Sequence, residues 1–204
     1  MGYRLYRLVP RKAPVGVTAA RPMDADTIEN QTWRLRVDAA TGRIEELFHK
    51  PTGKDLVDTD SPHRPGQIIV RHPREGVLDQ LDNVRIGIDV GEVCSSLTVR
   101  GRLAGHPIVV ERYRLWAGLD RLDIAVGMLA DATGLLDVHL AFPLAWPGGQ
   151  FEYEGALSVL RPVDDYLPGA QWDVVAVQNW MRLISTNRWP ITPATPRSAV
   201  FSWT

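Results

Sequence analysis

Two neighbouring stretches alternate apolar and other residues almost without a miss, and this confines the chain to β structure. In Arg121 to Met128, Leu122, Ile124, Val126 and Met128 take every second position. In Leu135 to Leu144, Leu136, Val138, Leu140, Phe142 and Leu144 do the same. Successive side chains of a strand point to opposite faces, so each stretch carries one apolar row. Ala130-Asp131-Ala132-Thr133-Gly134 between them is turn material. The pattern predicts two antiparallel strands that share a buried face.

The rest of the chain keeps this rhythm. Tyr3 to Val9 reads as a strand, and Pro10 to Met23, with Pro10, Pro14, Gly16 and Pro22, as a linker. Thr32 to Asp38 and Arg43 to His49 form a predicted hairpin around Ala39-Ala40-Thr41-Gly42. Strands are also predicted at Gln67 to Arg71, Val84 to Val90, Leu97 to Leu103 and Ile108 to Trp116. Asp58 to Gly66 is an expected exposed loop.

Later in the chain, Phe151 to Glu154 and Leu157 to Leu160 read as short strands, and Arg161 to Gly169 as a long loop. Val174 to Ile184 fits both helical and strand spacing, and its β context selects the strand. Thr186 to Arg197 is a proline-rich loop, and Ala199 to Trp203 opens a final strand. Strands every 10 to 15 residues or so, with turn residues between, mark an all-β sandwich or barrel. The reading is a large antiparallel β-sandwich over residues 23–204, preceded by a terminal strand and linker over 1–22. The chain ends on an apolar strand without a closing turn, so we expect it to be a piece of a longer protein.

Composition excludes several functions. The 204 residues carry a formal net charge of −1, so no global field draws them to nucleic acid or anionic lipid. No apolar run approaches the roughly 18 residues of a membrane span. The start lacks the apolar core of a signal peptide. Cys94 is the single cysteine, which rules out an internal disulfide and a cysteine-based zinc site. These features point to the cytoplasm. Asn30-Gln31-Thr32 is a formal glycosylation sequon, read here as coincidental.

Local catalytic motifs are missing. There is no Gly-x-Ser-x-Gly, phosphate loop or Gly-x-Gly-x-x-Gly. No two histidines stand as His-x-His or His-x-x-x-His. His49, His63, His72 and His106 are expected as exposed loop residues. His139 lies on a strand face, either on the sheet surface or in a cleft. Glu152 and Glu154 share a strand face at roughly 6.5–7 Å between backbones, a spacing open to a carboxylate pair or to a solvated surface. Trp172, Trp180 and Trp189 cluster late with Tyr166, as a sugar-stacking surface or as core.

Several stretches taken in order resemble the C-terminal β region of glycoside hydrolase family 38, the α-mannosidases. They are Gly2-Tyr3-Arg4-Leu5-Tyr6-Arg7-Leu8, Trp33-Arg34-Leu35-Arg36-Val37-Asp38, Thr41-Gly42-Arg43-Ile44, and Lys50-Pro51-Thr52-Gly53-Lys54-Asp55-Leu56-Val57. Tyr113-Arg114-Leu115, Phe142-Pro143-Leu144, Arg161-Pro162 and Val177-Gln178-Asn179-Trp180 follow in the order of that family.

The resemblance implies a galactose-mutarotase-like sandwich and a mannose-containing saccharide as ligand. It also implies an upstream catalytic domain that carries the zinc, the nucleophile and the acid/base. The chain itself would then hold no cofactor and no catalytic residue. Loops of the β region would approach the sugar, with Asp165, Tyr166, Arg188 and Trp189 as the candidate contacts. Around Asn187 to Thr192 the sequence departs from the family, where a glycine-containing turn is usual.

Two other readings stay open: a free-standing carbohydrate-binding module, and an aldose-epimerase-like enzyme with His139 as the base and Glu152 or Glu154 as its partner. A homo-oligomer is compatible with all three.

Overall fold

The computed structural model describes residues 7, 21–78, 80–134, 136–145, 149–170, 174–184 and 199–202. They are almost entirely antiparallel β structure, as the alternation predicts. Among them no helix is long and apolar enough to cross a membrane. The expected strand Tyr3 to Val9 lies outside the described residues apart from Arg7. The chain divides into two compact units, Met1–Leu144 and Ala145–Thr204. That division falls inside the range that alternation alone reads as one domain.

The described residues of the first unit form three sheets. Strands β1 (Arg21–Asp24), β2 (Thr27–Glu29), β3 (Trp33–Val37), β4 (Ile44–His49) and β5 (Lys54–Asp55) form one sheet in sequence order. Strands β6 (Ile68–His72) and β7 (Gly76–Leu78) pair with each other, and β12 (Asp137–Leu140) adds to the free edge of β6. The third sheet runs β11-β10-β9-β8, from β8 (Asp82–Asp89), β9 (Cys94–Leu103), β10 (His106–Trp116) and β11 (Leu122–Leu129).

The β3–β4 hairpin forms where predicted. Its turn is built by Asp38, whose Oδ1 accepts the N–H groups of Ala40 at 2.6 Å and Thr41 at 2.7 Å. An aspartate folding back on its own backbone in this way is a standard turn device.

The four-stranded sheet packs one face on the other two sheets of this unit. Ile88, Leu97, Tyr113 and Ile124 form one cross-strand row on its inner face, and Ile86, Val99, Glu111 and Val126 form the next. One end of this face meets the five-stranded sheet. There Asn30 Nδ2 donates to the carbonyl of Trp116 at 2.9 Å, and Tyr113 and Ile44 converge on Gly66. The other end meets β6, where Ile68 and Val70 pack with Leu103 and Val109. Side chains fully withdrawn from water here, such as Leu35, Ile44, Leu97 and Leu115, are each worth about 1.5–3 kcal/mol of burial.

The two stretches that opened the sequence reading do not pair. β11 bonds to β10, whereas β12 bonds to β6 in another sheet. Alternation determines which face of a strand is apolar but leaves its neighbour open. At Asp131, whose N–H donates to Gly105 O at 2.9 Å, the chain leaves the four-stranded sheet. Val126 and Leu136 then reach the same core cluster from opposite layers. The second stretch is also shorter than expected. It stops at Leu140, and Pro143, which has no N–H, stands before the isolated Val57–Leu144 bridge. Its row is largely exposed, with Val138 and Leu140 at the surface.

Two of the four histidines expected in exposed loops are buried. His49 closes β4, its Nδ1 lies 2.9 Å from Thr52 Oγ1, and its ring sits 4.5 Å from that of Trp33. His106 opens β10, and its Nδ1 bonds to Ala104 O at 2.9 Å. Both rings are covered because each has a hydrogen-bond partner within three residues of chain.

The second unit has two smaller sheets. β13 (Gln150–Gly155) lies between β14 (Ser158–Leu160) and β16 (Met181–Ile184), while β15 (Val174–Val177) pairs with β17 (Ala199–Ser202). The ambiguous stretch Val174 to Ile184 is therefore strand, but as two pieces. The loop Arg161 to Gly169 contains one short helical turn, α1 (Pro162–Asp165). Tyr153, Val175 and Val177 make the core, flanked by Phe151, Leu160, Tyr166 and Met181.

Candidate functional site

The second unit brings the two sequence-predicted residues Asp165 and Tyr166 to a loop that two contacts fasten to the sheet and a third braces internally. β13 alternates strictly. Tyr153 turns into the core, and Glu152 and Glu154 share the opposite face, as their spacing predicts. Burial differs from that of a solvated face, however. Glu152 is only 1% exposed.

Two arginines explain how a carboxylate survives there. Arg182 stands directly across the ladder on β16, and its Nε donates to Glu152 Oε2 at 2.8 Å with Nη2 at 2.6 Å. Arg161 grips the other oxygen, with Nε and Nη2 each 2.6 Å from Oε1. Burial disfavours the charged form, and the two guanidinium groups outweigh it, so the carboxyl is held below its ordinary range. The same carboxylate raises the Arg161 guanidinium through hydrogen bonding and charge. Arg182 also lies over the Trp180 ring, 5.7 Å from its centroid.

Arg161 is the first residue of the loop, so its ion pair roots the loop on β13. The second fastening is local, with the Arg161 N–H donating to Asp165 Oδ2 at 2.6 Å. The third is the contact between the Tyr166 and Tyr153 hydroxyls. Burial and that contact push the Tyr153 phenol up to about 12. The sequence spacing did not reveal the Glu152–Arg161–Arg182 cluster, because its members come from three elements. The one available signal was a Glu on a strand face with arginines 9 and 30 residues away.

Glu152 is a poor acid or base, since both oxygens are taken by permanent cations. Glu154 accepts from Asn179 Nδ2 at 2.9 Å. His139 stands exposed on β12 of the first unit, opposite Ile69. Arg188 and Trp189, the other two expected sugar contacts, lie outside the described residues, as does Trp172. Among the described residues no group of three or more His, Cys, Asp or Glu is placed to hold a metal ion. No protein-family model matches the chain, and no curated protein matches it.

Proposed function

We propose that this chain is the C-terminal β-sandwich region of an α-mannosidase-like glycoside hydrolase, a non-catalytic scaffold. It supports a catalytic domain that carries the zinc and lends that domain loop groups for a mannose-containing saccharide. The observation that supports this most is the anchoring of the loop Arg161–Tyr166. A buried carboxylate held by two arginines serves to immobilise a loop whose Asp165 is exposed and whose Tyr166 is half-buried against the sheet. Rigid support of an exposed polar group is what a sugar contact needs, because positioning loses its effect when the supporting shell is loose. The order of family-like stretches along the sequence supplies the saccharide class.

Titration of the chain with mannose and α-linked manno-oligosaccharides, read by tryptophan fluorescence, tests the loop contacts. The expected result is millimolar binding, weakened in Asp165→Asn and Tyr166→Phe. No response at millimolar oligosaccharide would remove the sugar role. Turnover of an aryl α-mannoside by the purified chain would remove the scaffold role.

A further inference from the structure

The outer face of the four-stranded sheet carries a diagonal of arginines. In the cross-strand register, Arg85 of β8 stands opposite Arg100 of β9, and Arg100 stands opposite Val110 of β10. Two residues further along β10 is Arg112, in a row with Gly87, Thr98 and Ala125, and two further still is Arg114, in a row with Asp89, Ser96 and Asp123. Strands lie about 4.8 Å apart and same-face residues about 6.8 Å apart, so the four guanidinium groups form one inclined stripe. Among the described residues none of the four has an ion-pair or hydrogen-bond partner. Acidic residues share only its Arg114 end. Asp89 and Asp123 stand in the Arg114 row, where Asp123 accepts from Trp116 Nε1 and pairs with Arg121, while Asp82 stands opposite Arg102.

Like charges directly opposite each other across a ladder are destabilising. The Arg85–Arg100 pair is therefore an uncompensated cost in the isolated chain, which a bound anion would offset. We propose that this face binds a linear anionic polysaccharide, sulfated or carboxylated, along the stripe Arg85–Arg100–Arg112–Arg114. It belongs to the first unit and does not depend on the sugar loop of the second.

The shape of the face selects this occupant. Arginine forks match sulfate and carboxylate groups. Gly87, Ala125 and Gly127 border the stripe without bulk, so an extended chain can lie flat. A protein partner needs an interface centre poor in charge, whereas charge is the centre here. Single-stranded nucleic acid needs successive aromatic platforms, whereas the one aromatic on this face among the described residues, Trp116 beyond Arg114, is already covered by Arg121.

The test is titration of the intact chain with heparin and with polygalacturonate, beside dextran, poly-glutamate and an oligothymidylate. We expect binding to at least one of the two anionic glycans and none to dextran. If all four arginines engage, affinity should fall about 50-fold between 50 and 200 mM salt. Arg100→Gln with Arg112→Gln should weaken binding by at least about tenfold without lowering the thermal midpoint, since it relieves the Arg85–Arg100 repulsion. If that pair fails to fold, Arg85→Gln with Arg114→Gln must show the same loss. The proposal is overturned by no glycan binding at 50 mM salt, by undiminished binding in the folded variants, or by equal affinity for poly-glutamate or the oligonucleotide.

Discussion

Tyr113 donates its phenolic O–H to Glu111 on the same buried face of β10. Neither residue is more than 4% exposed. Burial pushes the Glu111 carboxyl up to about 7, against a partial lowering by that hydrogen bond. Burial and the neighbouring carboxylate push the Tyr113 phenol up as well. Thr41, Arg43 and Gln67 line the same small interior space.

A carboxyl that binds its proton more tightly folded than unfolded adds stability at low pH. That stability is lost as pH rises from the unfolded value near 4.5 to about 7. The loss should be about 3 kcal/mol. Glu111→Gln keeps a neutral group in place and should flatten the decline. Urea midpoints at pH 5, 6, 7 and 8 measure both. A wild-type midpoint that rises across this range would contradict the assignment.

Glu152 has the opposite sign. Its lowered carboxyl contributes stability that is complete above the unfolded value near 4.5 and disappears as pH falls through the folded value. Glu152→Ala should destabilise the second unit by about 1–3 kcal/mol at pH 7. The penalty should shrink as pH falls below 4.5. Since the arginines are partly exposed and can turn to water, the loss should stay below that of a fully buried pair. Hydrogen exchange of β13 and β16 amides reports it locally.

Gly66 takes φ +79°, and a methyl there would sit 2.7 Å from Tyr113 Oη and 3.1 Å from Ile44 Cδ1. Gly53 takes φ +64° with nothing within 4 Å. Gly53→Ala should therefore cost only the left-handed backbone penalty, about 1–2 kcal/mol. Gly66→Ala adds overpacking where two sheets meet, for about 2–5 kcal/mol in all. Equal shifts in thermal midpoint for the two variants would show that the Gly66 contact is slack.

Asn30 ties β2 and β3 to the four-stranded sheet. Its Oδ1 accepts the N–H groups of Thr32 at 2.9 Å and Trp33 at 2.7 Å, while Nδ2 donates to Trp116 O. Asn30→Ala should cost about 1–2 kcal/mol, since it leaves three partly buried backbone groups without their side-chain partner. Denaturant titration measures the cost. Asn30 is only 7% exposed, so the fold leaves little room for a glycan on Nδ2, and mass spectrometry of protein expressed through a secretory route should find the residue unmodified.

The strands themselves were legible in the sequence. Period-two rows at Trp33–Val37, Asp82–Asp89 and Leu122–Leu129 need no partner to be read, because side-chain direction is a property of the local backbone. The turn at Asp38 was legible for the same reason. Of the expected sugar-site residues, Asp165 and Tyr166 fall on one anchored loop, but nothing near them in sequence named the anchor.

Pairing was decided elsewhere. Every apolar row in this chain can be covered by any other, so alternation made β11 and β12 look like neighbours. Only the competition of all strands for one inner face placed them in different layers. Charge followed the same division. The composition near neutrality hid four arginines that the β8–β9–β10 register gathers on one surface, and it hid the two that meet on Glu152. Sequence determined the local direction of each side chain, and tertiary structure alone decided which charges stand together, since ladder register brings together residues far apart along the chain.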